Sequence, residues 1–315
     1  MPRLDRDASR TDLARLDRHR QPHTYLQMLR FPHPVCRALA SLAIVAVLAG
    51  FPANAEETSA PALFQRIVLL GASATAGFDV SEPFGGPKTP QYRFANYVEA
   101  ALIGAHEPVA TQATALLFLK VQETMERQVA ATVALRPSLV IGLDAMFWFC
   151  YGTGLTAEQR LARFNAGLRL LEQIDAPLVL GDIPDATKAV GGILDKAELP
   201  DLAAIAQCNE RLKSWAADRK NVIVFPLAQM MAAATANEDL VLGGHTWEKG
   251  KSAALVRSDR LHPSRHGLAA LAIAALESAA AANIPPVPAT FLCRDVEAVY
   301  AAGLARGGAP SKTQK

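Results

Sequence analysis

Three side chains, distant along the chain, have the types and spacing for nucleophilic catalysis. Ser73 lies in "RIVLLGASATAGF" (66–78), where an apolar run from Arg66 to Leu70 stops abruptly at Gly71, Ala72, Ser73 and Ala74. Four such small residues cannot fill a core, so the spot admits the close approach of another group. Asp259 and His262 lie three residues apart in "SDRLHPSRHGLAALA", with Pro263 directly after. One tight turn there can set the carboxylate against one imidazole nitrogen and leave the other nitrogen facing a crevice. An unassisted hydroxyl is a weak nucleophile, and a base held by an orienting acid is what activates it. Ser73 taken alone reads as a turn residue; the Asp-His pair makes it a candidate nucleophile.

Phosphate chemistry fits less well. A Walker loop needs a lysine after its second glycine, but "GASATAG" has five residues between its glycines and is followed by Phe78. A dinucleotide turn needs G-x-G-x-x-G, and Ser73 and Ala76 occupy its second and third glycine positions. No tyrosine is followed four residues later by lysine. A formal net charge of +2 over 315 residues sets up no field for nucleic acid.

These side chains need elements to position them. Strands are predicted at 66–70, 108–111, 138–143, 177–181 and 221–225, each an apolar run without polar alternation. Between them lie segments of helical period. In 156–174, Leu161, Phe164, Leu168, Leu171 and Ile174 recur every three or four residues, and Thr156 with Gln159 forms a capping box. Pro263 suits the first turn of a helix continued by Leu268, Leu271 and Leu276. Alternating buried strands and helices predict an α/β fold: a doubly wound, five-stranded parallel sheet, order 2-1-3-4-5, with helices on both faces. Its ligand crevice lies at the carboxyl ends of strands 1 and 3, so Ser73 and Asp144, which follow those strands, face each other there.

The chain resembles the SGNH (GDSL) hydrolase family over roughly residues 64–280, through three of the family's four blocks. "LLGAS" stands at the G-D-S block, "VIGLDA" at the G-x-N block and "DRLHPSRHG" at the D-x-x-H-P block; no glycine block is recognisable in "PVATQATALLF". The resemblance implies an esterase or lipase with Ser73 as nucleophile, His262 as base and Asp259 as orienter, working without a metal or organic cofactor. It also implies an oxyanion hole formed at Ser73 and at position 144, where this chain has Asp144 in place of the family's asparagine. An ionised carboxylate only accepts hydrogen bonds, and loss of one oxyanion donor costs about 10² to 10³ in rate. Three readings stay open for Asp144: a slower enzyme relying on backbone donors such as the Ser73 amide, a protonated carboxyl able to donate, or a degenerate site that binds without cutting.

Other residues carry two readings each. Phe147 and Trp148, just after Asp144, are either plain core or the lining of an acyl pocket. Asp182 and Asp185 suit turns. His266 suits a helix surface, and His245 with Glu248 is too thin for a metal site. "GGHTWEKGK" (243–251) is a candidate lid.

The organisation predicted is an N-terminal extension over 1–27, a signal peptide over 28–55, an SGNH-like domain over 56–295 and a C-terminal tail over 296–315, fraying from Gly303. Arg30 and Arg37 precede the apolar run "ALASLAIVAVLAGF" (38–51), and "PANA" ends in a small-x-small cleavage pattern before Glu56. That run is short for a spanning helix, and a retained signal-anchor helix is the alternative. Residues 1–37 hold eight arginines against four aspartates, so cleavage takes the formal charge from +2 to −2. The expected product is periplasmic or secreted, with no stable membrane span and a small-molecule, glycan or lipid ester as substrate. Cys150, Cys208 and Cys293 allow at most one disulfide.

Overall fold

Strands buried on both faces must pair in a sheet covered twice, and the topology of this chain follows that requirement. The structure, a computed structural model, describes residues 61–78, 89–283 and 285–308; the expected N-terminal extension and signal peptide lie outside the described residues. Five strands, β1 (Ile67–Leu69), β2 (Ala110–Thr111), β3 (Leu139–Gly142), β4 (Leu178–Gly181) and β5 (Val222–Phe225), form one parallel sheet in the order β2-β1-β3-β4-β5. Ile67 pairs with Leu139, Val140 with Leu178, and Leu178 with Val222. The predicted strands hold, each one or two residues shorter than expected.

Successive strand residues point to opposite faces, and the two faces have separate cores. Ile67, Leu69, Leu139, Ile141 and Val179 enter one core, whereas Val140, Leu178 and Leu180 enter the other. Along the chain the helices are α1 (Ser73–Ala76), α2 (Phe94–Ala101), α3 (Val121–Ala134), α4 (Phe147–Cys150), α5 (Ala157–Leu171), α6 (Leu202–Ala217), α7 (Leu227–Ala236), α8 (Arg265–Ala282) and α9 (Val296–Gly308). The first core is closed by α2, α8 and α9, with Phe94, Tyr97, Ile273, Leu276 and Val299 buried. The second is closed by α3, α5 and α6, with Met125, Val129, Phe164, Leu168, Leu212 and Trp215 buried. A small antiparallel hairpin pairs β6 (Leu240–Leu242) with β7 (His245–Trp247), and only β7 falls within the segment 243–251 read as a lid.

Helix starts follow local chemistry. The Thr156 hydroxyl accepts from the Gln159 amide at 3.3 Å while the Gln159 side chain accepts from the Thr156 amide at 2.9 Å, the reciprocal box legible in the sequence. Asp201 caps α6 through the Ala204 amide at 2.7 Å. At α8 the cap is Ser264, which accepts from the Gly267 amide at 3.1 Å. Pro263 therefore precedes the cap and is not in the first turn as predicted, and this leaves the Asp259–His262 turn outside the helix.

The C-terminal segment differs from expectation. Composition rich in glycine and alanine predicts a fraying tail, yet residues 296–308 form α9, packed on α2 and α8. Asp295 caps it, accepting from the Glu297 and Ala298 amides at 3.0 and 3.2 Å. Gly303 lies against the Tyr97 ring, where a Cβ would come within 2.5 Å of an aromatic carbon. The small residues serve close helix contact there. No helix among the described residues is long and apolar enough to cross a membrane.

Because α9 is part of the first core, Val299→Ala should lower the unfolding free energy by about 2 kcal/mol, from lost burial plus a residual cavity. Urea denaturation of the two proteins measures this; no change would mean that the C-terminal segment is a loose tail.

Candidate active site

The site forms where the chain leaves β1 and β3. After β1, Leu70 and Gly71 lead into a turn, and Ser73 opens the single-turn helix α1. The first amides of a helix lack intrahelical acceptors. Asp144, which follows β3, supplies acceptors for most of them. One carboxylate oxygen accepts from the Ala72 amide at 3.0 Å and the Thr75 hydroxyl at 2.6 Å; the other accepts from the Ala74 and Thr75 amides at 2.8 and 3.3 Å. A Cβ on Gly71 would lie 2.2 Å from the first oxygen, and the Gly71 φ of +144° also favours glycine. The group admitted by the small residues around Ser73 is thus a carboxylate of the protein itself. From the other side, the buried Gln128 amide accepts from the Gly71 N–H at 2.8 Å and donates to the Gly71 carbonyl at 2.9 Å.

The turn before α8 brings up the second half of the site. One Asp259 oxygen accepts from the Leu261 and His262 amides, both at 2.9 Å, in a turn that sets Arg260 at φ +58°. This leaves the other oxygen 3.1 Å from His262 Nδ1, while Nε2 lies 2.8 Å from the Ser73 hydroxyl oxygen. With Nδ1–H donating to Asp259, Nε2 is the acceptor for the serine proton. The His262 ring is only 3% exposed, and Phe78 stacks on it with centroids 4.1 Å apart and planes 13° from parallel. Burial works to raise the Asp259 pKa. The His262 hydrogen bond and charge, with the two backbone N–H groups, outweigh burial and hold the carboxyl at about 2. Arg257 Nε lies 3.5 Å from the same carboxylate, its guanidinium 4.6 Å from the centre of the Tyr92 ring.

The structure thus brings Ser73, His262 and Asp259 into one hydrogen-bonded row. It gives Asp144 a task other than the oxyanion donor implied by the family pattern. Both of its oxygens accept from donors of the nucleophile turn, an arrangement that suits a carboxylate. Of the amides from Ala72 to Thr75, that of Ser73 alone is not directed at Asp144.

Phe147 and Trp148 line the cavity at the nucleophile, a space of about 630 Å³ that also touches Ser73, Asp144, Asp182 and His262. A second opening of about 460 Å³ lies against the same serine and histidine, walled by Phe78, Phe118, Trp148 and Ile193. Asp182 accepts from the Ala228 amide at 2.6 Å at the start of α7, and burial raises its pKa. Asp185 accepts from the Thr187 amide at 2.9 Å in a turn. His266 stacks on Tyr300 of α9, with centroids 3.7 Å apart, away from the triad. Among the described residues no group of three His, Cys, Asp or Glu could hold a metal ion, and Cys150, Cys208 and Cys293 are free thiols. Sequence reasoning missed Phe78, Arg257, Gln128 and Thr75. Thr75 stands two residues from Ser73 and was open to suspicion; nothing local marks Gln128, 57 residues from its partner.

No family model and no curated protein matches the chain. Two solved structures are similar to it. One is a lipase/acylhydrolase from Enterococcus faecalis, at 17% identity over 68% of this chain and 95% of that one, with a TM-score of 0.45. The other is a gut microbial diltiazem-metabolizing enzyme, at 12% identity over 68% of this chain and 46% of that one, with a TM-score of 0.41. The strand order and the Ser-His-Asp geometry are those that the resemblance to SGNH hydrolases implies.

Two consequences can be measured. Asp144→Asn turns one acceptor oxygen into a donor that meets a donor, so it should destabilise the protein by about 1–3 kcal/mol and lower any Ser73-dependent activity; a gain in turnover would show instead that the carboxylate obstructs an oxyanion. The depressed Asp259 pKa stabilises the fold fully above the ordinary value near 3.9, and that contribution disappears as pH falls through about 2. The stability difference between the wild type and Asp259→Asn, from urea unfolding at several acid pH values, should therefore shrink as pH falls from about 4 toward 2.

Proposed function

We propose that this protein is an exported serine hydrolase of the SGNH type that cleaves a carboxylic ester through an acyl-enzyme. The observation that carries the reading is the unbroken row from the Ser73 hydroxyl through both nitrogens of His262 to Asp259, at 2.8 and 3.1 Å. The Ser73 oxygen attacks the ester carbonyl carbon while His262 Nε2 takes its proton. Asp259 holds the imidazole in the tautomer that leaves Nε2 free and balances the imidazolium charge that forms. As the tetrahedral adduct collapses, the C–O bond to the alcohol breaks, and the proton on Nε2 goes to the departing oxygen. Water, deprotonated by the same nitrogen, then releases the acid and restores Ser73.

The oxyanion needs donors aimed at it. The Ser73 N–H is in place at the start of α1, and Asp144 contributes by fixing the turn that aims this amide. With one donor fewer than an asparagine would give, the chemical step should be slower by about 10² to 10³ than in a site with the full set. General-base assistance from His262 is worth about 10² to 10⁴. No metal or organic cofactor enters any of these steps. Export rests on the signal pattern of residues 28–55.

A fluorophosphonate probe should label Ser73 in the wild type, and labelling should vanish in Ser73→Ala and His262→Ala, as read by intact mass. Asp259→Asn should cut ester turnover by about 10⁴-fold, the loss expected when the base is held in the wrong tautomer. An unlabelled serine in the folded wild type would instead identify a binding protein on a hydrolase scaffold. An N-terminus at Glu56 in protein recovered from outside the cytoplasm would support export.

A further inference from the structure

The cavity at the nucleophile does not end beside Ser73. Leu227, Met231, Leu261, Pro263 and Leu271 wall it on one side, and the same five residues wall a second cavity of about 400 Å³. The two spaces adjoin around these shared side chains. The far space lies between α7 and α8 and extends to β6, where Ala234, Leu240, Leu242 and Leu255 line it. The polar groups are confined to the near end: Ser73, Asp144, Asp182 and His262 border the first cavity, and no side chain bordering the second is polar.

From this we infer that the passage from Ser73 between α7 and α8 to β6 is an acyl-chain site, and that the substrate is an ester of an aliphatic acid several carbons long. The inference rests on the serine hydrolase reading and adds a substrate class to it. Sugar hydroxyls pushed into the far cavity would lose hydrogen bonds to water and find no side-chain replacement. An alkyl chain loses nothing there and gains burial. Met230 and Met231 lie along the passage, and their unbranched, flexible side chains can adjust to a chain threading past them. The second opening, against His262 and walled by Phe78 and Ile193, then receives the alcohol.

The test uses the full chain and p-nitrophenyl esters from acetate to dodecanoate, so that only the acyl part varies. Each methylene buried should raise kcat/KM about fourfold until the passage is full, so octanoate should exceed acetate by at least about a hundredfold. Ala234→Trp blocks the far cavity only and should lower the decanoate-to-acetate ratio of kcat/KM at least about tenfold; Leu242→Trp serves the same purpose if the first variant does not fold. Alkyl acetates with lengthening alcohols should show no such rise. A flat acyl series with active hydrolysis, a preference for acetylated sugars, or a gain confined to the alkyl acetates would overturn the acyl-chain site and leave the hydrolase intact. If no ester is cleaved and the fluorophosphonate leaves Ser73 unmodified, the hydrolase reading fails; calorimetry with decanoate against acetate then decides the passage alone, binding of decanoate supporting it and equal or no binding overturning it.

Discussion

A single carboxylate joins the two central strands at the point where chemistry has to happen. Asp144 leaves β3 and reaches under the turn after β1, and its two oxygens collect donors from Ala72, Ala74 and Thr75. The first turn of a helix has donors and no partners, so a short helix opened by a serine would hold its shape poorly alone. The carboxylate satisfies those donors and locks the serine's position. Gly71 makes this possible, because any side chain there would occupy the space of an Asp144 oxygen. The sheet then adds its own constraint: β1 and β3 are hydrogen-bonded neighbours in parallel register, so their carboxyl ends are side by side.

The opposing half of the site is built on different means. It is a tight turn closed by Asp259, whose two oxygens divide the work, one fixing the backbone of Leu261 and His262 and the other fixing the imidazole. Burial alone would make that carboxylate costly. Three hydrogen bonds and the neighbouring imidazole outweigh the penalty, which is why its pKa ends below the ordinary value. Phe78 on the ring face and the buried surroundings keep water from the imidazole, so electrostatic contacts there are stronger than in solvent. The Ser264 cap starts α8 two residues after His262, so the histidine is held by a rigid element without being part of it.

The chemistry of the site follows from how these halves meet. Asp144 accepts every hydrogen bond it makes to the nucleophile turn, so its contribution there is geometric. The distribution of polar groups along the adjoining cavities agrees with a reaction centre at one end and an apolar reach at the other. Alternation along β3 and β4 sends neighbouring residues into opposite cores, so the same strands that carry the site also anchor both helical layers.

Residue pattern by itself determined the parallel sheet, the capping box at Thr156 and the Asp259–His262 pair, through short-range signals: apolar runs, caps, and an Asp-His spacing that one turn can close. The strand order came from the common doubly wound arrangement, and the roles of Ser73, His262 and Asp259 as one triad from the resemblance to SGNH hydrolases. Contacts between distant segments escaped it. The glycines of 303–308 have the composition of a loose end, whereas the alanines, the Asp295 cap and the neighbouring faces of α2 and α8 together hold the segment as a helix. Position 144 was legible as part of the site, but its task was not, since an aspartate at a strand end has the same appearance whether it faces a substrate or a row of amides. Gln128, Phe78 and Arg257 gained their places from partners 57 or more residues away. Tertiary structure decided all of these, because a hydrogen bond or a ring stack depends on where two groups lie in space, and sequence spacing constrains that only within a turn or two.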